Sequence, residues 1–351
     1  MVRPTVNDIA REAGVSLATV DRVLNARPGV RARTIDAVND AISRLGYVRD
    51  IAAANLARGR SYTMAFVLPD SDSQFLQTIT AAVDAAIIHA PTSRTDIRLV
   101  RYRAEDSHAL QRQLAALPDE GVDGIALMAP ETPVVRDAVR GLRAKGIPVI
   151  AMISDLPNTE RDHFVGIDSR AAGRTAGVLM GRFLGEHPAQ VVVVAQSMQL
   201  RDAIERRRGF DEILLRDYPA IEALATIETH GSAAALRQIV GDSFRNHGNI
   251  AGVYLLGSGH RALQSVLAEL GLTGRLVVIG HELTAHTRAA LTAGQLDAVI
   301  TQNVGHVVRS ALRILRAKVD RTGIDAGQER LRIEIILREN LPPDDLTVES
   351  F

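Results

Sequence analysis

Hydrophobic residues recur along residues 62–320 in two alternating patterns. Short aliphatic and β-branched runs predict strands, and apolar residues at every third or fourth position predict amphipathic helices. The predicted strands are Thr63–Leu68, Ile97–Tyr102, Gly124–Met128, Val149–Ile153, Val191–Ala195, Ala225–Thr229, Gly252–Leu256, Leu276–Ile279 and Ala298–Thr301. The predicted helices lie near Phe75–His89, Ser107–Leu117, Pro133–Lys145, Arg170–Leu184, Ile204–Arg216, Ala233–Phe244, Arg261–Leu270, His286–Ala293 and His306–Lys318. Strands that alternate with helices form parallel sheets with right-handed crossovers, so the pattern predicts two doubly wound parallel α/β subdomains.

The N-terminal residues carry a different pattern, which is wholly helical. The segment Thr5–Asn25 reads TVNDIAREAGVSLATVDRVLN and holds two short helical stretches that are broken at Gly14 and Val15. Ser16 is placed to cap the second stretch. The apolar spacing lets two crossed helices share a small core. This pattern is typical of a helix-turn-helix, whose second helix enters the DNA major groove.

A third helix is expected to run from about Ala32 to Leu45 and to end at Gly46. Arg31 stands where a serine or threonine cap is usual, so the start of this helix is less well marked. Tyr47 and Val48 should close the core. One apolar face of the helix should pack behind the first two helices, and its residues are Ile35, Val38, Ile42 and Leu45.

Few side chains of the second helix remain to contact bases. Arg22 is the only long donor at its exposed positions, and arginine can pair with the O6 and N7 atoms of guanine. The bare N-terminus of the helix, next to Ser16, favours a phosphate. The candidate DNA-binding residues of the helix-turn-helix are Thr5, Ser16, Leu17, Ala18, Thr19, Asp21, Arg22 and Asn25.

Charge supports this interpretation once the chain is divided. The net charge of the 351 residues is zero, but residues 1–60 hold ten arginines against six acids, a net of +4. The remaining residues carry the balancing −4. A basic head suits phosphate contact. Because +4 is modest, we expect one head to bind DNA weakly and a homodimer to supply useful affinity.

Composition excludes several classes of site. The chain has no cysteine, so it has no disulfide, thiolate zinc site or cysteine nucleophile. The N-terminus, MVRPTVNDIAREAG, lacks an apolar signal-peptide core, and no apolar run approaches the length of a membrane span. We therefore expect a cytoplasmic protein that needs no metal and no cofactor.

In doubly wound sheets, small ligands bind beyond the carboxyl ends of the strands. The loops at those ends are rich in carboxylates, amides and hydroxyls, and they include an aromatic ring that could stack on a C–H face. Such a set suits a sugar or polyol. The candidate ligand-binding residues are Asp70, Phe75, Ser154, Asp155, Arg206, Ser258, Glu282 and Gln302.

The N-terminal motif resembles the LacI family of bacterial transcription regulators. The resemblance rests on AxxAGVSxxTVxRVLN, on the third helix that follows, and on Ala53-Ala54-Asn55-Leu56-Ala57. The family usually has TVSRVLN where this chain has TVDRVLN, with Asp21 in place of serine. A carboxylate at that position alters the contacts with bases or phosphates. The resemblance implies DNA binding, but not an inherited operator sequence.

The same resemblance implies a hinge helix over residues 50–61. In the family this segment folds on DNA and wedges a leucine into the minor groove, which bends the duplex. Leu56 stands at the matching place, and Ala53 and Ala57 are small enough for close helix–helix approach. Ala53 and Leu56 are therefore further candidate DNA-binding residues. An ordinary linker is the alternative.

Residues 62–320 resemble the periplasmic sugar-binding-protein fold in its ribose-binding-like branch. In that fold, an arginine three residues before a GF pair, an acid after the next-to-last strand and a glutamine after the last strand bind ligand. These positions correspond here to Arg206, Glu282 and Gln302. The Asp-Arg pair typical of ribose sites is missing, and Ile153-Ser154-Asp155 stands in its place. The resemblance therefore does not imply ribose.

Several of these residues have alternative interpretations. Arg206 lies in the run Glu205–Arg208, which could be a solvated charge cluster, and Asp168 is better placed to cap a helix than to bind ligand. The GSGH segment at residues 257–260 is a weak phosphate-loop candidate and fits a turn in the cleft wall better. The histidines lack metal-ligand spacing, and they are His260, His281 and His286.

These observations together predict a DNA-binding transcription regulator, most simply a repressor, that binds a palindromic operator as a homodimer. A sugar or polyol effector in the C-terminal cleft would control its affinity for the operator. The predicted domains are residues 1–49 for the helix-turn-helix, 50–61 for the hinge and 62–351 for effector binding and dimerisation. The alternatives are a sugar-processing enzyme and an architectural DNA binder with an unresponsive sensor. No nucleophile with its base, and no phosphate loop, supports the enzyme.

Overall fold

The computed structural model describes residues 4–24, 28–47, 60–104, 106–230 and 232–343. The chain divides into two compact units, which are residues 1–60 and 61–351. We call the first unit the head and the second the body. The predicted hinge residues Ala53 and Leu56, and Asn25 at the end of the helix-turn-helix, lie outside the described residues.

The head contains three helices, as the sequence predicts. They are α1 (Val6–Ala13), α2 (Leu17–Leu24) and α3 (Ala32–Leu45). Their fully buried core residues are Ile9, Val20, Val38 and Ala41. The expected buried face of α3 is wrong at one position, because Ile35 is 37% exposed. Ile35 lies near the start of α3, and the core forms further along the helix, around Val38 and Ala41.

The turn between α1 and α2 follows from local residue chemistry. Thr5 and Asp8 form a capping box at the start of α1. Gly14 ends α1 with φ +64°, a left-handed conformation that glycine adopts without a Cβ clash. The Thr19 amide donates to Ser16 Oγ at 3.2 Å, so Ser16 caps α2 as predicted.

The body consists of two lobes, each built on a sheet that helices cover on both faces. The N-lobe sheet has the strand order β2-β1-β3-β4-β5, and all its pairs are parallel. Its strands are β1 (Tyr62–Asp70), β2 (Thr95–Arg103), β3 (Gly124–Leu127), β4 (Val149–Met152) and β5 (His163–Val165). Its helices are α4 (Gln74–His89), α5 (Ser107–Ala116) and α6 (Pro133–Ala144), and a 3-10 turn covers Ala90–Ser93.

The C-lobe sheet has the order β12-β11-β10-β9-β6-β7, and β8 also pairs with β6. Only the β11–β12 pair of this sheet is antiparallel among the described residues. The strands are β6 (Ala189–Ala195), β7 (Ile221–Ala223), β8 (Ile227–Glu228), β9 (Ile250–Leu255), β10 (Val277–His281), β11 (Ala298–Thr301) and β12 (Glu334–Ile336). The helices are α7 (Ser169–Leu184), α8 (Arg201–Asp217), α9 (Ala233–Asn246), α10 (His260–Glu269) and α11 (Ala285–Thr292), and a 3-10 turn covers Arg338–Asn340.

The last long helix follows a strand of the C-lobe but packs in the N-lobe. Helix α12 (Val304–Asp320) follows β11 of the C-lobe, yet its apolar side packs with α4 and β1 in the N-lobe core. The chain then returns through residues 321–333 to β12. Residues 166–168 and 302–303 also connect the lobes, so these segments lie where the carboxyl ends of the two sheets meet.

The predicted body elements are largely confirmed, with corrections at the edges of the sheets. The strand expected at Ala225–Thr229 is only the two-residue β8. Strands β5, β7 and β12 were not predicted, because each spans three residues and is too short to show a period. No helix of the described residues combines the length and the apolar character that a membrane crossing needs.

Glycines allow α7 and α8 to pack with their backbones in contact. A Cβ atom on Gly173 would lie 2.0 Å from the Arg206 carbonyl oxygen, and one on Gly209 would lie 2.0 Å from that of Arg170. Neither neighbour is a flexible side chain that could move aside. The close approach therefore fixes the position of α8, and with it the position of Arg206.

This packing makes a testable prediction. Gly209→Ala should destabilise the protein by about 1–3 kcal/mol, because the added methyl group overlaps the α7 backbone. Gly141→Ala is the matched control: Gly141 lies within α6 and has no atom near the position of an added Cβ. The control should gain up to about 1 kcal/mol from helix propensity. Denaturant unfolding measures both changes, and equal stability of the two variants would contradict the prediction.

Candidate functional site

A cavity of about 240 Å³ lies between the two lobes of the body. We call it the interlobe cleft. The N-lobe contributes an apolar and aromatic wall at the ends of its strands, formed by Pro69, Phe75, Leu76, Tyr102, Met128 and Pro130. The C-lobe contributes a polar wall from its loops and from α8, formed by Gln196, Asp202, Arg206, His230, Ser258 and Glu282.

Arg206 is the centre of the polar wall. It lies on α8, and only 2% of its surface is exposed. Its Nη1 donates to the Leu256 carbonyl at 2.7 Å, and its Nη2 donates to Glu282 Oε1 at 2.8 Å. Asp202 lies one helical turn earlier, with Oδ2 3.6 Å from Arg206 Nη1. The arginine is thus a buried ion-pair member and not part of a solvated charge run.

Glu282 follows β10 in a conformation that holds its carboxylate towards Arg206. Its φ of +70° is left-handed, which is uncommon for a residue with a long side chain. The backbone around it is fixed, because the Glu282 amide donates to the Ile300 carbonyl at 3.0 Å and Thr287 Oγ1 donates to the Glu282 carbonyl at 2.9 Å. Burial raises the pKa of Glu282, and the neighbouring Arg206 opposes that rise.

Gln302 joins the site to a connection between the lobes. It follows β11, is 3% exposed, and its Oε1 accepts from the Ile167 amide at 3.4 Å. Ile167 belongs to the connection at residues 166–168. Gln302 also neighbours Glu282 and lowers its pKa, a smaller influence than burial or Arg206.

Four buried polar atoms around this cluster have no hydrogen-bond partner among the described residues. Two are acceptors, Asp202 Oδ1 and Glu282 Oε2, and two are donors, Arg206 Nε and Gln302 Nε2. Gln302 lies near enough to the Glu282 carboxylate to lower its pKa, so this donor and acceptor partly satisfy each other. Buried polar groups in folded proteins are nearly always paired, since an unpaired group costs about 1–3 kcal/mol. The cluster is therefore suited to a ligand that both donates and accepts hydrogen bonds.

The other predicted ligand residues are distributed unequally. Ser258 lines the interlobe cleft, and its hydroxyl lies 3.1 Å from that of Ser73 in the N-lobe. Ser154 is fully buried and accepts from the Asp202 amide at 3.4 Å, but it is not among the lining residues. This hydrogen bond therefore links a residue of the N-lobe outside the lining of the cleft to α8 of the C-lobe.

Two further predicted residues lie away from the interlobe cleft, and Gln302 is not among its lining residues either. Asp70 is exposed at the end of β1 and does not belong to the lining. Asp155 pairs with Arg161, whose Nη2 donates to Asp155 Oδ2 at 2.7 Å. Asp155 Oδ1 also accepts a hydrogen bond from the Leu156 amide. Its carboxylate is thus already satisfied by protein groups.

Sequence reasoning missed Asp202, Gln196 and Ser73. Asp202 precedes Arg206 by four residues, so helical spacing could have identified it as a partner on the same face of α8. Gln196 and Ser73 lie on loops, and no pattern distinguished them from other polar loop residues. Asp168 is not a ligand residue, because its Oδ1 accepts from the Ala171 amide at 2.8 Å and caps α7, as predicted.

The buried histidines of the C-lobe form a separate polar network. Tyr254 Oη lies 2.8 Å from His281 Nε2, and His260 Nε2 donates to the His281 carbonyl at 3.0 Å. No group of three potential metal ligands occurs within the described ranges. Burial lowers the pKa of His260 to about 4 and that of His281 well below its ordinary value of 6.5.

This burial predicts a loss of stability in mild acid. Between pH 6.5 and 4 the unfolded chain binds protons that folded His260 and His281 do not, so stability should fall as the pH decreases through this window. We expect a lower thermal unfolding midpoint at pH 5 than at pH 7. His260→Gln, whose amide can still donate to the His281 carbonyl, should show a smaller decrease. Identical decreases in both proteins would refute the assignment to His260.

In the head, the exposed surface of α2 is the candidate nucleic-acid interface. Leu17 is 49% exposed, and Ala18 and Arg22 are also exposed. Asp21 is half-buried. Thr5 is engaged with Asp8 in the α1 cap, and the Ser16 and Thr19 hydroxyls lie 2.9 Å apart at the start of α2.

Comparison with known proteins agrees with both units. Residues 5–50 match the model described as bacterial regulatory proteins, lacI family, and residues 64–323 match that of the periplasmic binding protein domain. Catabolite control protein A of Priestia megaterium is 30% identical over 172 residues, which cover 48% of each chain. The chain thus spans about half the length of this curated relative. The regulator CelR of Thermobifida fusca is 27% identical over 254 residues, 68% of this chain and 70% of that protein.

Among solved structures, the fold resembles that of GanP, a glucose-galactose binding protein from Geobacillus stearothermophilus. The TM-score is 0.71 at 19% identity, over 81% of this chain and all of that one. A likeness at this identity concerns the fold. The periplasmic binding protein domain model covers more than half of the chain, so the chain belongs to that family, and its head carries a domain that matches the lacI family of bacterial regulatory proteins.

Proposed function

We propose that the protein is a transcription regulator that binds a palindromic DNA operator as a homodimer and responds to a small hydroxylated effector. The effector occupies the interlobe cleft, and it is a sugar or polyol. The head contacts DNA through α2. CelR, which matches over 68% of this chain, is named an HTH-type transcriptional regulator, and this supports a regulatory role over an enzymatic one.

The observation that carries the proposal is the set of unsatisfied atoms in the cluster of Asp202, Arg206, Glu282 and Gln302. Asp202, Arg206 and Glu282 line the interlobe cleft and carry two of these acceptors and one donor, whereas Gln302 is not among the lining residues. A hydroxyl group is donor and acceptor at once, so neighbouring hydroxyls of one ring can satisfy both kinds of atom. The opposite wall supplies the ring of Phe75 and the side chain of Met128, which suit the apolar C–H face of such a ring.

The charges of the cluster favour a ligand without a negative charge. Arg206 already lies within ion-pair distance of Glu282 and Asp202, so the buried cation has no spare charge for an anion. An added carboxylate or phosphate would face the buried Glu282 carboxylate and the half-buried carboxylate of Asp202. Hydroxyls avoid this repulsion and still use Arg206 Nε.

The two-lobed cleft supplies a route from ligand to DNA. A ligand shifts a conformational equilibrium only by binding one state better than the other. An effector that contacts Phe75 in the N-lobe and Arg206 in the C-lobe makes all its contacts only when the lobes are close. Occupation of the interlobe cleft therefore favours the closed body, and the closed body changes the spacing of two heads in a dimer.

Two heads are needed because one is only modestly basic. Residues 1–60 carry a net +4, and α2 exposes a single arginine among the described residues. A two-fold dimer places two such helices on half-sites about one helical turn apart, which matches an inverted repeat. Doubling the phosphate contacts also makes binding strongly dependent on salt.

Two measurements test the proposal. A thermal-shift screen of sugars and polyols should find a ligand that stabilises the protein by about 2.7 kcal/mol at 100 times its dissociation constant. Titration of a labelled inverted-repeat operator, with and without that ligand, should then give different midpoints. A screen in which no compound stabilises the body would refute the sensor role. Recovery of a chemically altered sugar would favour an enzyme instead.

A further inference from the structure

A second cavity, of about 410 Å³, adjoins the interlobe cleft. We call it the annex. Its walls are the loop and first turns of α10, the starts of α9 and α11, and residues 72–75 of the N-lobe. Ser73, Phe75, Gly257, Ser258 and Glu282 line both cavities, so the two spaces share one wall. The annex contains the GSGH segment, which the effector cluster described above does not use.

His260 gives the annex a buried group with an unused hydrogen-bonding atom. The residue is 7% exposed and lines the annex, and its Nδ1 has no partner within the described part of the chain. Since Nε2 faces a carbonyl oxygen and must carry the proton, Nδ1 of the neutral ring is an acceptor. The low pKa of His260 keeps it neutral near pH 7. Nδ1 therefore requires a donor such as a hydroxyl.

The backbone is built to hold His260 in this position. A Cβ atom at residue 280 would lie 2.0 Å from His260 Cε1, so only Gly280 allows the ring to lie across β10. His281 also lines the annex at 1% exposure, and its Nδ1 has no partner among the described atoms either. Two buried imidazoles, each with an unpartnered nitrogen atom, thus line one space.

The ionic groups at the annex do not suit an anion. Arg237 is paired with Glu269, at 2.9 Å between Nε and Oε2. The lining also includes Asp72 and Glu282, whose negative charges offset that of the exposed Arg261. Besides the histidines, which include His286, the remaining polar groups of the wall are hydroxyls and amides, such as Ser265, Thr284 and Gln74. The annex therefore suits a neutral hydroxylated group.

We propose that the annex is a second subsite, which binds a neutral hydroxylated unit joined covalently to the unit in the interlobe cleft. This inference rests on the proposed sensor function and makes the effector a disaccharide or glycoside. Pockets for small molecules usually measure about 300–1,000 Å³. The interlobe cleft alone, at about 240 Å³, falls below that range, and the annex supplies the remainder. The hydrogen bond between Ser73 and Ser258 at the shared wall is the contact that the linking atoms would replace.

The test uses isothermal calorimetry of the full chain with glucose, galactose and arabinose, and with maltose, cellobiose, lactose and trehalose. At least one disaccharide should bind tenfold or more tightly than either of its constituent monosaccharides. Ala262→Phe, which fills the annex from α10, should weaken that binding at least tenfold and change monosaccharide binding less than twofold. Ala268→Phe, exposed on the same helix and outside the annex lining, should change neither.

Ala233→Phe fills the annex from α9 and provides a second variant if Ala262→Phe folds poorly. Both variants should keep a cooperative unfolding transition. If monosaccharides bind at least as tightly as every disaccharide, or if a folded annex variant binds the disaccharide normally, the second subsite is refuted and the sensor function stands. If no sugar of either size binds, the sensor function fails and the subsite with it.

Discussion

Arg206→Ala is expected to abolish the effect of the effector on operator binding while leaving effector-free operator affinity near that of the wild type. The guanidinium holds Leu256 and Glu282 in place, and its Nε has no partner among the described residues, so its loss removes the centre of the C-lobe wall. Effector affinity should fall at least tenfold. Removal of one partner of a buried ion pair also costs stability, about 3–5 kcal/mol. Calorimetry, operator titration and denaturant unfolding measure the three quantities.

Two variants on α8 make this result specific. Arg208→Ala removes an arginine that is 59% exposed, two residues further along the helix, and should leave effector response and stability unchanged. Arg206→Lys keeps the charge but loses the planar fork, so it should restore only part of the stability and little effector affinity. An Arg206→Ala protein that responds to effector with an unchanged midpoint would remove Arg206 from the site.

Arg22→Ala is expected to weaken operator binding by about 1–3 kcal/mol, which is roughly 5- to 150-fold, and to relax the preference at one base pair of each half-site. Arg22 is exposed on α2, where a guanidinium can donate two hydrogen bonds to one guanine. The neighbouring Leu17 and Ala18 offer only apolar contacts. Binding to a set of operators with single-base substitutions measures both affinity and preference.

Arg44→Ala is the control within the head. Arg44 lies in the last turn of α3 and contacts Glu12 at 3.0 Å, away from the exposed face of α2. Its loss should not change the ranking of operator sequences. If Arg22→Ala weakened binding equally on every sequence, Arg22 would contact phosphate instead of a base.

Local sequence patterns predicted most elements of this fold, because the period of buried residues is itself local. The apolar runs of β1 and β6 and the cap at Ser16 depend only on neighbouring residues. The exceptions are informative. Ile35 has the spacing of a core residue but is exposed, since burial depends on where the other helices cross α3.

The candidate site was predicted only in part. Arg206, Glu282 and Ser258 line the interlobe cleft, and Gln302 neighbours Glu282, as expected for loops at the carboxyl ends of strands. Asp155 has the same kind of position but pairs with Arg161. Sequence position indicates which loop a side chain occupies. It does not indicate which neighbour will satisfy that side chain first.

The sequence by itself determined the order of most elements and the helix-turn-helix pattern of the head, because capping, turn chemistry and periodicity act over a few residues. Only the tertiary structure decided which side chains share a space. Asp202 Oδ1 and Glu282 Oε2 belong to one cluster although 80 residues separate them in the sequence. Strands β7 to β10 and the helices that connect them lie in that interval. The annex has the same origin, since it exists where N-lobe loop residues meet the starts of three C-lobe helices. Contacts between residues so far apart in the sequence depend on how whole sheets and helices pack. A short stretch of sequence does not contain that information.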